Sequence, residues 1–282
     1  MKNRKLPLAR PARLAGAALF LALATAVVST PAQAQRLVLS DIVQAEILPG
    51  WQAADGSRMA ALHLTLADGW HTYWRIPGEA GIAPRFDWSR SQNIRSIEPL
   101  WPAPEVYDQN GLRSIVYQDE LILPLRIQPQ NSGRPMALMG EIQIGVCSDT
   151  CVPADLQVTA ALRGVGAFDP RITDSLSQGA QPASGAGLQR TTCRLVPGDG
   201  GADLTLRATL PRVGAEEVII MELPGSGYWV SNSRTWREGG DLVAQARVRD
   251  PDRGSVGINR STLAFSILSE GRLVQSTGCV GG

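Results

Sequence analysis

Glu141-Ile142-Gln143-Ile144-Gly145-Val146-Cys147-Ser148-Asp149-Thr150-Cys151-Val152-Pro153-Ala154-Asp155-Leu156-Gln157-Val158-Thr159 is the stretch from which the fold is read. Glu141 to Ile144 alternates polar and apolar residues, and Asp155 to Thr159 does so again, so each predicts a β-strand. Cys147 and Cys151 then fall at the tip of a hairpin, with Pro153 just beyond. A tip this short keeps both sulfurs close whether they are bonded or free. That suits a pair that switches between dithiol and disulfide. It suits a fixed structural staple equally well, and the spacing alone leaves both open.

Working outward, the same pattern of short alternating runs between turn clusters recurs along the chain, and no long segment carries a helical apolar stripe. An all-β protein of antiparallel sandwiches is expected. Met59 to Leu66 places Leu62, Leu64 and Leu66 on one face and His63 on the other, where a solvent-facing strand histidine is a better reading than a metal ligand. Trp70-His71-Thr72-Tyr73-Trp74-Arg75 follows Asp68-Gly69 as an aromatic strand, with Trp70, Thr72 and Trp74 on one side and destined for the core. Glu105-Val106-Tyr107-Asp108-Gln109-Asn110-Gly111 reads as a turn-rich loop carrying one exposed aromatic. In Leu121 to Ile127, Pro124 suggests an edge strand or a bulge.

The first 34 residues read as a secretory signal peptide: a basic start (Lys2, Arg4, Lys5, Arg10, Arg13), an apolar stretch from Leu14 to Val28, and Ala32-Gln33-Ala34 as cleavage site. The mature chain then starts near Gln35 in an oxidising compartment, most simply a bacterial periplasm, where its four cysteines can be oxidised. Two domains are expected, a β-sandwich over 35–168 and a second β-sandwich over 190–282. The Ser-, Gly-, Ala- and Pro-rich segment 169–189 between them reads as a linker with room for a short helical turn. Cys193 and Cys279 bracket the second domain and are expected to form a structural disulfide. A net charge of +1 and the lack of a basic patch speak against nucleic acid as a partner.

Trp70-His71-Thr72-Tyr73-Trp74-Arg75-Ile76-Pro77-Gly78, Trp101-Pro102-Ala103-Pro104, Tyr117 with Leu121 to Leu125, and Cys147-x3-Cys151-Val152-Pro153 occur in that order. Together they resemble the N-terminal periplasmic domain of the DsbD and ScsB thiol:disulfide reductases, over nearly all of the first domain. The resemblance implies an immunoglobulin-like fold with the cysteine pair at one end. It implies a pair that takes electrons from a thioredoxin-like domain and passes them to oxidised periplasmic partners. Cys151 would form the mixed disulfide, Cys147 would resolve it, and a loop would cover the pair, by chain order Glu105, Val106 and Tyr107. The implied partners are thioredoxin-like domains or proteins, periplasmic disulfide isomerases and a separate membrane electron-transfer protein. The sequence departs from the type in its closer cysteine spacing, in having Val106 where the covering aromatic is expected, and in showing no membrane or thioredoxin-like domain.

A thiolate is the attacking species, and an ordinary cysteine has a pKa of about 8.5. Nothing basic neighbours Cys147 or Cys151 in sequence and Asp149 opposes ionisation, so an ordinary or raised thiol pKa is expected. The exchange chemistry needs no cofactor and no metal. Two other classes stay open. A C-x3-C pair can hold Cu(I) through two soft sulfurs, although no His or Met lies in the hairpin, and a sandwich with two disulfides can be purely structural or partner-binding.

Overall fold

The computed structural model describes residues 38–79, 81–109 and 111–282; the expected signal peptide lies outside them. A 3-10 turn at Leu39–Asp41 leads into ten strands: β1 (Val43–Gln52), β2 (Arg58–Leu66), β3 (His71–Gly78), β4 (Arg85–Asp87), β5 (Ile94–Pro99), β6 (Glu105–Gln109), β7 (Leu112–Gln118), β8 (Glu120–Pro129), β9 (Met136–Cys147) and β10 (Cys151–Leu162). They form two sheets of a sandwich, β1-β2-β8-β5 against β10-β9-β3-β7-β6, with β4 added to β9. The period-2 pattern is realised directly. Leu62 and Leu64 of β2 meet Leu123 and Leu125 of β8 and, from the facing sheet, Trp74, Ile115, Ile142 and Val146, all essentially inaccessible. His63 lies on the outer face of its sheet, its Nδ1 2.9 Å from Glu46 and its Nε2 2.7 Å from Glu120.

Pro124 departs from expectation: β8 is an inner strand, between β2 and β5. The main-chain carbonyl of Pro124 accepts from Leu100 N on the β5 side, at 2.8 Å. A residue's N and C=O point to the same side of a strand, so the missing N–H also faces the end of β5. The pairing of Pro124 with Ala61 of β2 therefore loses no ladder bond.

The segment read as a linker is ordered. Asp169 caps helix α1 (Pro170–Ser177) by accepting from Arg171 N, with proline at its first turn. Ile172 of this helix is buried against Leu48, Met59 and Ala61 of the first sandwich, and Ser175 Oγ donates to Ile122 O at 2.6 Å. The chain then enters the second sandwich through β11 (Gln181–Pro182). It continues as β12 (Arg190–Gly198), β13 (Gly201–Thr209), β14 (Val218–Glu222), β15 (Trp229–Val230), β16 (Arg234–Glu238), β17 (Asp241–Arg249), β18 (Ala264–Ser269), β19 (Arg272–Thr277) and β20 (Val280–Gly281). The sheets are β11-β19-β18-β14 and β15-β17-β13-β12-β20, with β16 also on β17. Leu204, Leu206, Ile219, Phe265 and Ile267 fill the space between them. Both sandwiches belong to one compact unit, residues 38–282, and Ile220, Leu268 and Leu273 of the second join the apolar cluster of the first.

Candidate functional site

Strands β9 and β10 pair through twelve rungs, from Met136↔Leu162 to Cys147↔Cys151. Directly opposed residues of an antiparallel ladder share a face, so the last rung brings the two sulfurs together. Cys147 and Cys151 are bonded, with Cα atoms 4.1 Å apart. Their surroundings differ sharply: Cys147 is 1% exposed, whereas Cys151 is an exposed residue.

The neighbouring strand β3 supplies the floor. His71 stands opposite Cys147 in the β3–β9 pairing, and Thr72 opposite Val146. Alternation puts His71 and Tyr73 on the cysteine face, while Thr72 and Trp74 point away from it. Tyr73 is buried beside Val116 and Cys147. Its hydroxyl donates to Cys147 Sγ at 2.9 Å and lies 3.5 Å from Cys151 Sγ. Burial, with the phenol of Tyr107 nearby, holds the Tyr73 pKa above its ordinary value, so the hydroxyl keeps its proton. Burial also pushes the His71 pKa below its ordinary value and favours the neutral imidazole.

Glu105, Val106 and Tyr107 lie in strand β6, not in a loop. β6 pairs with β7 from Glu105↔Val116 to Gln109↔Leu112. The sequence between them contains Asn110-Gly111, and this dipeptide is the strongest short-range hairpin signal a sequence offers. The strand's alternation puts Val106 on one face and Glu105 and Tyr107 on the other. Val106 packs into the main core, Glu105 accepts from Gln118 Nε2 at 2.6 Å, and Tyr107 faces the cysteine side, its ring 5.1 Å from that of His71. Tyr107 packs on the cluster of Tyr73, Val116 and Cys147. Tyr73 is the functional candidate that sequence reasoning passed over. Its position one residue from the core-facing Trp74, and two from His71, marked it for the opposite face.

Cys193 and Cys279 are also bonded, with Cα atoms 5.7 Å apart. Cys193 lies in β12, opposite Leu206 of β13 and Gly281 of β20. Among the described residues no group of three or more His, Cys, Asp or Glu side chains is placed to hold a metal ion.

Residues 44–162 match the family model of the thiol:disulfide interchange protein DsbD, N-terminal. Residues 44–162 form a DsbD N-terminal domain. That domain contains the whole constellation, from His71 to Cys151. Among solved structures, the N-terminal periplasmic domain of ScsB from Proteus mirabilis superposes with a TM-score of 0.61 at 22% identity, over 85% of this chain and 92% of that chain. The DsbD-type domain and the sandwich that follows it thus share that protein's fold. Comparison with curated proteins gives no match.

Proposed function

We propose that this protein is a periplasmic thiol–disulfide interchange module that relays reducing equivalents through Cys147 and Cys151. The observation that carries the reading is the asymmetry of the pair. Cys151 is an exposed residue, while Cys147 is buried with a hydroxyl aimed at its sulfur. An incoming thiolate needs in-line access to one sulfur, and the other sulfur must leave with the bonding electrons. Cys151 is accessible for attack, and Cys147 is the sulfur placed to leave.

In the electron-accepting half-reaction, a thiolate of a thioredoxin-like donor attacks Cys151 Sγ. The Cys147–Cys151 bond breaks and its electron pair goes to Cys147 Sγ, where the Tyr73 hydroxyl meets the developing charge. The donor's second thiolate then attacks its own sulfur in the mixed disulfide. This releases the Cys151 thiolate and leaves the donor oxidised. Two electrons have moved, and the two cysteines take protons from solvent.

In the donating half-reaction, Cys151 attacks the disulfide of an oxidised periplasmic protein such as a disulfide isomerase. Cys147 then attacks Cys151 Sγ, which restores the internal bond and frees the acceptor's thiols. Tyr107 covers the Cys147 side of the pair from β6 between encounters. A periplasmic setting accords with the leader-like first 34 residues, and no helix among the described residues is long and apolar enough to cross a membrane.

Equilibration with glutathione or dithiothreitol buffers tests the proposal. The Cys147–Cys151 pair should titrate in the range of exchange-active disulfides. A potential below about −300 mV would make the bond a structural one and refute the reading.

A further inference from the structure

The β6–β7 hairpin that carries Tyr107 is held from outside its own sandwich. Its far rungs are Asp108↔Arg113 and Gln109↔Leu112, with Tyr107↔Ser114 just before them. At Arg113 two hydrogen bonds cross to the second sandwich. Asn232 Nδ2 donates to the main-chain carbonyl of Arg113 at 2.8 Å, and Arg113 Nη1 donates to Ser233 O at 3.3 Å. The same carbonyl also accepts from Glu79 N at 3.1 Å. The backbones approach so closely here that a Cβ on Gly78, whose φ is +87°, would strike the Arg113 carbonyl.

The segment that reaches across is rigid. Ser231 N donates to Arg247 O, Ser231 Oγ accepts from Arg247 N at 2.9 Å, and the buried Ser233 hydroxyl donates to Ile219 O. Residues 231–233 are therefore fastened to β17 and β14 and cannot follow the hairpin if it swings. Beside them, Arg75 of β3 pairs with Glu222 of β14, which ties the same edge of the first sandwich to the second.

Resting on the proposed exchange function, we infer that the second sandwich restrains the covering hairpin, with Asn232 and the Ser233 carbonyl as positioning groups that set how readily Tyr107 uncovers Cys147, the buried sulfur it packs upon. β6 is the last strand of its sheet, and the cover it carries is a partly buried tyrosine. The domain with no cysteine chemistry in exchange then has a stated role: it fixes the resting position of the lid over the other domain's sulfurs.

The test uses the Cys151→Ser protein, in which Cys147 is the free thiol of the pair, and the rate of alkylation of Cys147 by a maleimide, with hydrogen exchange of the β6–β7 amides measured alongside. Asn232→Ala removes one bond and Arg113→Met the other, the latter keeping the aliphatic stem. Each should raise the alkylation rate about fivefold, which is what losing one hydrogen bond of ordinary net strength does to an opening equilibrium. Exchange should quicken in β6–β7 and not in β9–β10. In a Tyr107→Ala background, where no cover remains, Asn232→Ala should add nothing.

Unchanged alkylation and exchange in both single variants overturns the inference. So does an Asn232→Ala effect that persists at full size without Tyr107, because the loop would then act on the cysteines by another route. The exchange reading fails separately, on the potential of the pair, whatever the lid does.

Discussion

Replacing Tyr73 with phenylalanine isolates one atom of the candidate site. The ring stays packed against Val116 and Cys147, and only the hydroxyl that donates to Cys147 Sγ at 2.9 Å is lost. A hydrogen bond to an ionised group contributes about 1.5–3 kcal/mol, against about 1 for a neutral pair. When a thiolate attacks Cys151, the Cys147 sulfur carries roughly half a negative charge at the transition state, as the Brønsted slopes of about 0.4–0.5 for such exchange indicate. The same hydroxyl already bonds the neutral sulfur in the resting state, so the variant should lose about half the difference, about 0.6 kcal/mol, or about a threefold drop in the rate of disulfide opening.

The assay is reduction of the oxidised protein by excess dithiothreitol, followed by acid quench and maleimide gel shift. A small dithiol needs no docking surface, so slowing is chemical in origin. The Tyr73 phenol is held above its ordinary pKa by burial, so the effect should be constant with pH up to about 10, the ordinary value for tyrosine. A Tyr73→Phe rate equal to or faster than the parent's would remove the hydroxyl from the mechanism.

Cys147→Ser should accumulate a mixed disulfide between Cys151 and a thioredoxin-like partner, because the resolving sulfur is gone; Cys151→Ser should trap little, and equal trapping by both would reverse or void the assignment. Removing the Cys193–Cys279 bond, which spans 86 residues, should lower stability by roughly 4–5 kcal/mol in the chain-entropy model, measured by urea unfolding of the Cys193→Ala/Cys279→Ala double variant. A loss within error of zero would show that the bond does not constrain the unfolded chain. Burial lowers the folded-state pKa of His71, so between that value and about 6.5 the unfolded chain binds the extra proton. Stability should rise with pH through this window and be lost as pH falls through it, and His71→Gln should flatten that part of the profile.

Much of this architecture was legible because strand periodicity is local. Leu62, Leu64 and Leu66 announced a core face, and the runs on either side of Cys147 and Cys151 announced a hairpin whose closing rung is that pair. What escaped the sequence depended on neighbours along the third dimension. Pro124 pointed to an edge strand, since nothing local shows that its missing N–H would face the end of β5. Glu105 to Gly111 reads as loop because its polar residues outweigh its alternation, although Asn110-Gly111 is itself a hairpin signal. The segment 169–189 looked flexible by composition, while Asp169-Pro170 capped a helix that buries Ile172. Tyr73 could be placed on the face opposite Trp74 by counting. That the face contains sulfur required the β3–β9 register.

The twelve-rung hairpin also bears on how the molecule tolerates its own chemistry. The Cys147–Cys151 bond closes a loop of only three intervening residues, at the end of a ladder whose other eleven rungs do not depend on it. On the same chain-entropy relation that gives the longer bond its large contribution, so short a loop contributes about 2 kcal/mol. Severing it leaves the strands in register, so the oxidised and reduced forms are nearly one shape. Turnover then involves little rearrangement of the scaffold, and the molecule can pass through its reduced state without approaching its unfolded one.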